Sequence, residues 1–344
     1  MISVRIRLTP AGHYFFGGER AFVYDEKLKR QMSASYFISS LKMPTQTTLF
    51  GTLRYLIGVK DEKLRENAAE IIGENSFDIV GDNEQFGMIK CISPVYLFKD
   101  GEYFIRTPFD HVCGEKNYKP FDIDSSAGID SLSFPSDNVT KKKYPKNFNT
   151  KDGISKSYMS LSNQHIVLED DIFTSSVEVV SRKSNKTPYN KDGFAKKEYV
   201  RLKEGWTFVF FAKLDCDQLP DYNKSVVMGK DSSVFIAEME LGEEPEVSEL
   251  FRNKGKDFYY LQSPAYISKP TGDIIDNCSF CVLESETIRR FKTKNSKLQP
   301  EYGADLVQLI SAGSVFYADD IKKLANEHAS IAGFNRIING GKEQ

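Results

Sequence analysis

Short runs in which apolar and polar residues alternate recur along the chain, and they limit its fold more than any other feature. In the first ten residues, MISVRIRLTP, the apolar positions include Ile2, Val4, Ile6 and Leu8. Because successive side chains of a strand point to opposite faces, this period of two predicts a strand with one buried face. Later runs with the composition of strands are IFTSSVEVVSR, KEYVRL, WTFVFFAKL, SSVFIAEMEL, FYYLQSPAYI, SFCVLES and LVQLISAGSVFYA.

Glycine and proline mark the turns between these runs. Pro10-Ala11-Gly12 is expected to end the first strand, and Gly17-Gly18 is expected to force a turn soon afterwards. In CISPVYLFKDGEYFIRTP, Asp100-Gly101 lies between two aromatic and aliphatic runs. An Asp-Gly pair in that position predicts a hairpin.

Three segments have the spacing of helices instead. They cover about residues 44–58, 61–72 and 319–329. The last of them is predicted to be capped by Asp319 or Asp320, since an acidic side chain suits the start of a helix. Helices are therefore expected to be few and short.

The order of these strands and helices predicts the α+β class. We expect two ferredoxin-like (RRM-like) domains with antiparallel sheets and long loop insertions, because short helices on such sheets fit the βαββαβ pattern. A chain of 344 residues suits two domains, at about 100–200 residues each. The acidic stretch Glu238–Glu249 has the composition of a linker or a protein-docking face. It places the predicted domains at residues 1–245 and 246–344, with residues 110–165 as a loop insertion.

The composition excludes several classes of protein. The net charge is −2, so any contact with nucleic acid has to come from local basic patches. Five scattered cysteines, an odd number, favour reduced thiols in the cytoplasm. The sequence has no secretion signal and no apolar run near the roughly 20 residues that span a bilayer, so we expect a cytoplasmic protein without membrane contact.

The sequence predicts no catalytic residue, metal site or cofactor. The four histidines, His13, His111, His165 and His328, have no metal-ligand spacing, and no P-loop, GxGxxG or GxSxG motif is present. Cys278 and Cys281 form a single CxxC, without the second pair of ligands that a zinc site needs. One alternative stays open, in which His13 is the general base of a metal-free ribonuclease.

The start of the first predicted helix has the composition of an anion site. Pro44 is followed by Thr45, Gln46, Thr47 and Thr48, and no acidic residue stands near the positive end of the helix dipole. Backbone amides and hydroxyls at such a start can hold phosphate. Pro44 fits the first helical position. As the alternative, the threonines are ordinary capping residues.

Arg54 is the only charged residue in this predicted helix, about two turns from its start. Its guanidinium could hold the same anion or pair with a nearby acid.

The end of the chain and one internal loop are further candidate RNA contacts. Glycines let a backbone approach a phosphate closely, which suits the chain end, although a helix cap and a frayed tail would have the same composition. The loop at 181–197 combines cations with aromatics, as single-strand binding needs, although a solvated hairpin loop is the alternative. The candidates are Gly333, Asn335, Arg336, Gly340 and Gly341 at the chain end, and Arg182, Lys183, Lys186, Phe194 and Lys196 in the loop.

Four segments together resemble one family. HYFFGGERAF, SYFISSLKMPTQTTLFGTLR, ISAGSVFYA and AGFNRIINGGK are similar to the RAMP-superfamily third subunit of type III-B CRISPR effectors, the Cmr complex. The similarity is weakest across residues 60–170, and the chain end departs from the family's dense Gly-x-Gly pattern at Gly340 and Gly341.

The resemblance implies two ferredoxin-like domains and a subunit that binds RNA without cutting its target. It implies contact with the repeat-derived 5′ tag of the CRISPR RNA (crRNA), with the large polymerase-like subunit and with the backbone RAMP subunit. Thr45–Thr48 and the closing loop would then hold tag phosphates. Three alternatives stay open: a repeat-processing endoribonuclease using His13 or His165, the tag-capping subunit of a Csm-like or type III-D complex, and an interaction protein outside CRISPR systems.

Overall fold

The computed structural model describes residues 1–22, 36–58, 77–80, 86–122, 153–182, 193–229, 231–255, 257–267, 278–289, 293–294, 299–300, 306–318, 321 and 326–340. Within these ranges most of the regular structure is strand. No helix in the described part of the chain is long and apolar enough to cross a membrane.

The largest sheet has nine strands, and every neighbouring pair in it is antiparallel. Its order is β12-β13-β1-β11-β5-β6-β7-β8, and β4 also pairs with β11. The strands are β1 (Ile2–Pro10), β4 (Ile89–Ile92), β5 (Tyr96–Lys99), β6 (Glu102–Arg106), β7 (Ser157–Ser160), β8 (Ile166–Leu168), β11 (Thr207–Leu214), β12 (Ser225–Met228) and β13 (Ser233–Leu241).

A four-stranded sheet has the order β2-β3-β10-β9, and its β3 and β10 run parallel. Its strands are β2 (Phe16–Phe22), β3 (Tyr36–Leu41), β9 (Phe173–Arg182) and β10 (Gly193–Leu202).

Three smaller sheets follow in the last third of the chain, with orders β16-β21-β14-β22, β15-β20-β17 and β18-β19. Their strands are β14 (Phe258–Leu261), β15 (Ala265–Tyr266), β16 (Cys278–Val282), β17 (Ser285–Arg289), β18 (Thr293–Lys294), β19 (Gln299–Pro300), β20 (Leu306–Ile310), β21 (Val315–Ala318) and β22 (Ile337–Asn339).

The described helices are α1 (Gln46–Gly58), α2 (Glu169–Ile172) and α3 (Glu327–Ile331), with a 3₁₀ turn at Ser248–Phe251. Only α1 is longer than two turns. Its apolar residues Leu49, Leu53 and Leu56 are fully buried, as the helical period predicts.

The nine-stranded sheet is covered on both faces. Phe208 and Phe210 of β11 pack in one cluster with Leu53 of α1, whereas Val209 and Phe211 pack in another cluster with residues of β14. Neighbouring residues of β11 thus enter different cores, because successive side chains of a strand point to opposite faces. This sheet therefore fixes α1 on one side and the C-terminal strands on the other.

The structure is consistent with the predicted α+β class and confirms the antiparallel sheets, with mostly strands and few helices among the described residues. It also confirms the first strand and the hairpin, where Asp100 and Gly101 have φ values of 50° and 87° between β5 and β6. The ferredoxin-like topology and the boundary at residue 245 stay predictions.

Several local predictions were wrong. Gly17-Gly18 lies inside β2, where the register shifts between Gly17 and Arg20, and is no turn between strands. The expected strand LVQLISAGSVFYA is divided into β20 and β21, with Gly313 at a φ of 96° between them. Residues 193–197 lie in β10, although we expected a loop there.

The late helix that the structure describes begins later than the predicted one. It begins at Glu327, and the Oδ1 of Asn326 caps it by accepting from Ala329 N at 3.0 Å. Ile321 is buried outside the helix. The predicted caps, Asp319 and Asp320, and the predicted helix at 61–72 lie outside the described residues.

Candidate nucleic-acid interface

Thr45 is the N-cap of α1. Its carbonyl accepts from Leu49 N at 3.0 Å, and its Oγ1 accepts from Thr48 N at 3.3 Å. The same Oγ1 lies 3.0 Å from Thr47 Oγ1 and 2.8 Å from Thr48 Oγ1. Pro44 therefore precedes the cap and does not occupy the first helical position. Three half-buried hydroxyls cluster at the helix start, where the first turn has no acidic residue.

Gln46 fixes the helix start to two other segments. It is only 3% exposed, and its Nε2 donates to Ser93 O at 3.0 Å and to Ala332 O at 3.1 Å. The amide is thus directed into the protein, where its two hydrogen bonds hold the start of α1 against Ser93 and Ala332. Direct contact of Gln46 with RNA stays a prediction.

Gly333 packs against this amide. Its φ is +79°, and an added Cβ would lie 2.1 Å from Gln46 Nε2 and 2.6 Å from Ser93 O. Such approaches and such a φ are available only to glycine. The structure therefore joins two segments that the sequence predicted separately, the helix start and the chain end.

The residues after Gly333 have mainly structural contacts. Asn335 is buried with a φ of 54°, and its side chain accepts from Tyr266 N and donates to Tyr266 O, both at 2.9 Å. Arg336 is exposed, and its Nη2 lies 2.8 Å from Glu244 Oε2. An RNA phosphate would have to compete with that carboxylate for Arg336.

The last glycines are less informative. Gly340 is buried, its N donates to Phe258 O at 2.9 Å, and an added Cβ would lie 2.9 Å from Phe251 O. This close packing explains the glycine without a ligand. Gly341 lies outside the described residues.

Arg54 lies half-buried on the second half of α1, and burial lowers the pKa of its guanidinium. An arginine remains charged at neutral pH despite such a shift. α1 therefore carries one positive charge and no negative one.

The basic segment belongs to a long hairpin of β9 and β10. Arg182 stands opposite Gly193, and Phe194 opposite Ser181. Lys196 is exposed, and its neighbour on the other side is Phe37 of β3, the strand that leads into α1. Lys183 and Lys186 lie outside the described residues.

An ion-pair network beside the helix start was not predicted from the sequence. Glu169 accepts from Lys42 Nζ at 2.7 Å through Oε1, and from Arg106 Nη1 at 3.2 Å through Oε2. Tyr14 adds a hydrogen bond from its hydroxyl to Lys42 O at 2.7 Å. Lys42 lies just before Thr45, so it is a further cation close to the candidate site. No local pattern reveals it, because its partners are distant in sequence.

The acidic stretch is partly neutralised. Glu238 and Glu240 lie in β13, where they pair with Arg7 and Arg5 of β1. Glu244 pairs with Arg336 and accepts from Tyr96 Oη at 2.8 Å. The first two acids therefore belong to a strand of the main sheet, not to a linker.

The candidate catalytic residues were His13 and His165. His13 is exposed, with its ring 5.7 Å from that of Tyr199. His165 is also exposed, and its backbone N donates to Asn163 Oδ1 at 2.8 Å. Cys278 is buried in β16. Within the described ranges, no three His, Cys, Asp or Glu side chains are grouped as metal ligands would be.

Comparison with known proteins gives a family match. The family model described as "CRISPR-associated protein (Cas_Cmr3)" matches residues 6–333. No curated protein matches the chain.

Two solved structures match most of the chain at low sequence identity. A chain of "Cryo-EM structure of the Type III-B Cmr-beta bound to cognate target RNA" is 13% identical, with a TM-score of 0.45 and coverage of 91% of this chain and 86% of that chain. A chain of "Crystal structure of Csm3-Csm4 subcomplex in the type III-A CRISPR-Cas interference complex" is 11% identical, with a TM-score of 0.37 and coverage of 93% and 96%.

Proposed function

The chain belongs to the Cas_Cmr3 family of CRISPR-associated proteins, and we propose that it binds the 5′ repeat-derived tag of the crRNA within a type III-B effector complex. The family match confirms the resemblance to the Cmr subunit that the sequence motifs indicated. In this proposal the subunit holds RNA without cutting it, and it docks on the large polymerase-like subunit and on a backbone RAMP subunit.

The observation that carries the RNA-binding proposal is the junction at Gln46. Its side chain joins the start of α1 to Ala332 and Gly333, so that the hydroxyls of Thr47 and Thr48 and the turn after α3 are held by one buried amide. The helix start favours a phosphate, because the first amides of a helix have no backbone partner within it and no carboxylate stands in the first turn. The tag backbone would pass this junction.

The helix start alone gives too little affinity. An exposed charge at a helix end gains about 0.3–1 kcal/mol. Further cations are therefore needed, and the hairpin residues Arg182 and Lys196 are the candidates, together with Lys42 and Arg54 nearer the helix. Each phosphate neutralised in a single strand should add about 0.7 to the slope of log affinity against log salt.

Thr47→Glu tests this proposal with opposite effects on fold and binding. A carboxylate in the first turn of α1 should stabilise the helix by about 0.3–1 kcal/mol, but it should repel a phosphate at the same place. We expect weaker binding of tagged RNA, with a higher or unchanged melting temperature. Thr47→Gln is the matched control, because it has the same length without the charge.

The assay is binding of the full chain to a labelled RNA with the repeat-derived tag, beside a scrambled RNA, across a salt series without metal. Preference for the tag, a steep salt dependence and loss on Thr47→Glu are the expected results. Equal binding by Thr47→Glu and Thr47→Gln would contradict the site. If neither the chain nor the reconstituted complex prefers the tag, the function itself is wrong.

An exposed apolar row suits the proposed protein contacts. Val227 of β12 stands directly opposite Val234 of β13, and Ile236 follows on the same face; all three are about half exposed. The paired charges of Arg7 and Glu238 lie beside them. An apolar centre with a paired polar rim is typical of a protein interface, whereas RNA would require unpaired cations.

A repeat-processing endoribonuclease is the second candidate, because the ring of His13 lies 5.7 Å from the phenol ring of Tyr199. Tyr199 Oη donates to Asp231 Oδ2 at 3.0 Å, and Lys197 Nζ lies 2.8 Å from the same oxygen. Such an enzyme would cut the repeat without metal and leave 2′,3′-cyclic ends, and His13→Ala would abolish cutting. A denaturing gel of the binding reactions distinguishes the two functions.

A further inference from the structure

Tyr55 is the one exposed ring among the Phe, Tyr and Trp side chains that the structure describes. It is 46% exposed on the outer face of α1, whereas the other described rings are buried or half-buried. The helix presents it rigidly, since Asn223 donates to Tyr55 O at 3.4 Å through its side chain and to Leu56 O at 3.0 Å through its backbone. A single exposed ring is ordinary on a protein surface, so its neighbours decide its meaning.

Gly51 is the informative neighbour. It stands inside α1, it is exposed, and no atom lies within 4 Å of the Cβ that another residue would have. Its φ is not positive, so the backbone does not require glycine. Glycine destabilises a helix interior relative to alanine. Because neither packing nor conformation explains Gly51, its bare backbone suits a molecule that approaches from outside.

Gly51 and Tyr55 share a helix face, since residues four apart lie one turn from each other. The rise of 1.5 Å per residue separates them by about 6 Å along the axis. Thr47 begins the same row one turn earlier, in the proposed phosphate site. No acidic side chain interrupts the helix, and Arg54 lies beside the row. The row thus offers hydroxyls, then open backbone, then an aromatic face.

We propose that Tyr55 stacks on a nucleobase of the single-stranded RNA that passes the start of α1. The ribose of the same nucleotide would then lie over Gly51. This inference rests on the proposed function and adds a residue to its site. A planar ring in water is the surface on which unpaired bases stack. RNA is favoured over a protein partner because the row continues from the proposed phosphate site and carries no negative charge.

Stacking predicts a distinct pattern of affinity. Every base has an aromatic face, so Tyr55 should strengthen binding without selecting a base. Loss of the ring removes no charge, so the salt slope should not change, whereas loss of a phosphate contact would reduce it. These two features separate stacking from an electrostatic role.

The test compares wild type with Tyr55→Ala, Tyr55→Phe and Gly51→Ala, using tagged RNAs that each lack one base. We expect Tyr55→Ala to weaken binding about tenfold at an unchanged salt slope, and Tyr55→Phe to bind like wild type. At one tag position, removal of the base should weaken wild type but not Tyr55→Ala. Gly51→Ala should raise the melting temperature yet weaken binding, a combination that a merely structural glycine would not produce.

The other outcomes overturn either the stacking alone or the proposed function together with it. If wild type prefers the tag and Tyr55→Ala binds every RNA equally well, the stacking is wrong and the proposed function stands. If Tyr55→Ala keeps RNA but no longer co-purifies with the other subunits of the complex, the ring faces a protein and the stacking is again wrong. If wild type shows no tag preference alone or in the complex, the proposed function fails and the stacking with it.

Discussion

Gln46→Glu should strongly destabilise the protein although it replaces only the side-chain NH2 group with an oxygen. In the wild-type protein Nε2 donates to Ser93 O and Ala332 O at 3.0 and 3.1 Å in a site that is 3% exposed. The substitution places a carboxylate oxygen against those two carbonyl oxygens. Both hydrogen bonds are lost, and a charge is buried without a partner.

The expected magnitude follows from these two effects. Each hydrogen bond contributes about 0.5–1.5 kcal/mol net, and an uncompensated buried charge costs roughly 3–5 kcal/mol. We therefore expect the free energy of unfolding at pH 8 to fall by about 4–8 kcal/mol, a large share of the 5–15 kcal/mol typical of a protein. Urea unfolding of both proteins measures it. Gln46→Met is the control, since it removes the donor without adding charge and should cost about 1–3 kcal/mol.

The dependence on pH gives a second check. Burial raises the pKa of the introduced carboxyl above its unfolded value, so protonation favours the folded state. The deficit relative to Gln46→Met should therefore shrink as the pH falls from 8 to 5. If Gln46→Glu is as stable as wild type at pH 8, the buried hydrogen bonds of Gln46 do not join α1 to the chain end. The same conclusion would follow if the stability deficit relative to Gln46→Met were equal at pH 8 and pH 5.

Two further predictions concern stability. Gly313→Ala should lower the free energy of unfolding by roughly 2–4 kcal/mol, because the φ is +96° and the new Cβ would lie 2.5 Å from Phe109 Cε1. A thermal melt measures this loss. Gly12→Ala is the control in the same melt and should be near neutral, because no atom lies within 4 Å of its new Cβ. Burial, with repulsion from Glu284 and despite a hydrogen bond from Ser311, raises the pKa of the Glu286 carboxyl to about 6. The stability that the protonated carboxyl contributes to the fold is therefore lost as the pH rises from 4.5 to 6. Glu286→Gln should therefore be more stable than wild type by up to about 2 kcal/mol at pH 8 and equal to it at pH 4. Urea unfolding measures this difference, and a difference between the two proteins that is the same at pH 4 and pH 8 would contradict the raised pKa.

The sequence by itself determined several local elements. The period of two predicted β1, the helical spacing of leucines predicted α1, and Asp100-Gly101 predicted the hairpin of β5 and β6. These predictions succeed because the alternation of a strand, the turn of a helix and the φ preference of a glycine depend on neighbouring residues. The family also followed from short motifs, and the match over residues 6–333 confirms it.

Local patterns failed where a distant segment decided the outcome. Gly17-Gly18 has the composition of a turn, but β3 pairs alongside and makes it part of a strand, where a Cβ at Gly18 would lie 2.8 Å from Ser39 Oγ. Acidic composition predicted a linker or a protein-docking face from Glu238 onward, yet Glu238 and Glu240 lie in a strand and pair with the arginines of β1 across the sheet, which excludes a linker at these two residues.

Only the tertiary structure decided how the candidate site is assembled. Gln46 and Ala332 are 286 residues apart, and their hydrogen bond joins the helix start to the chain end. Lys42 meets Glu169 across 127 residues. Such contacts depend on which strands pair and on which faces of the sheet each element covers, and a pattern of neighbouring residues contains neither. The exposure of Tyr55 and the open space beside Gly51 are likewise properties of the packed chain, because burial is set by what the rest of the protein covers.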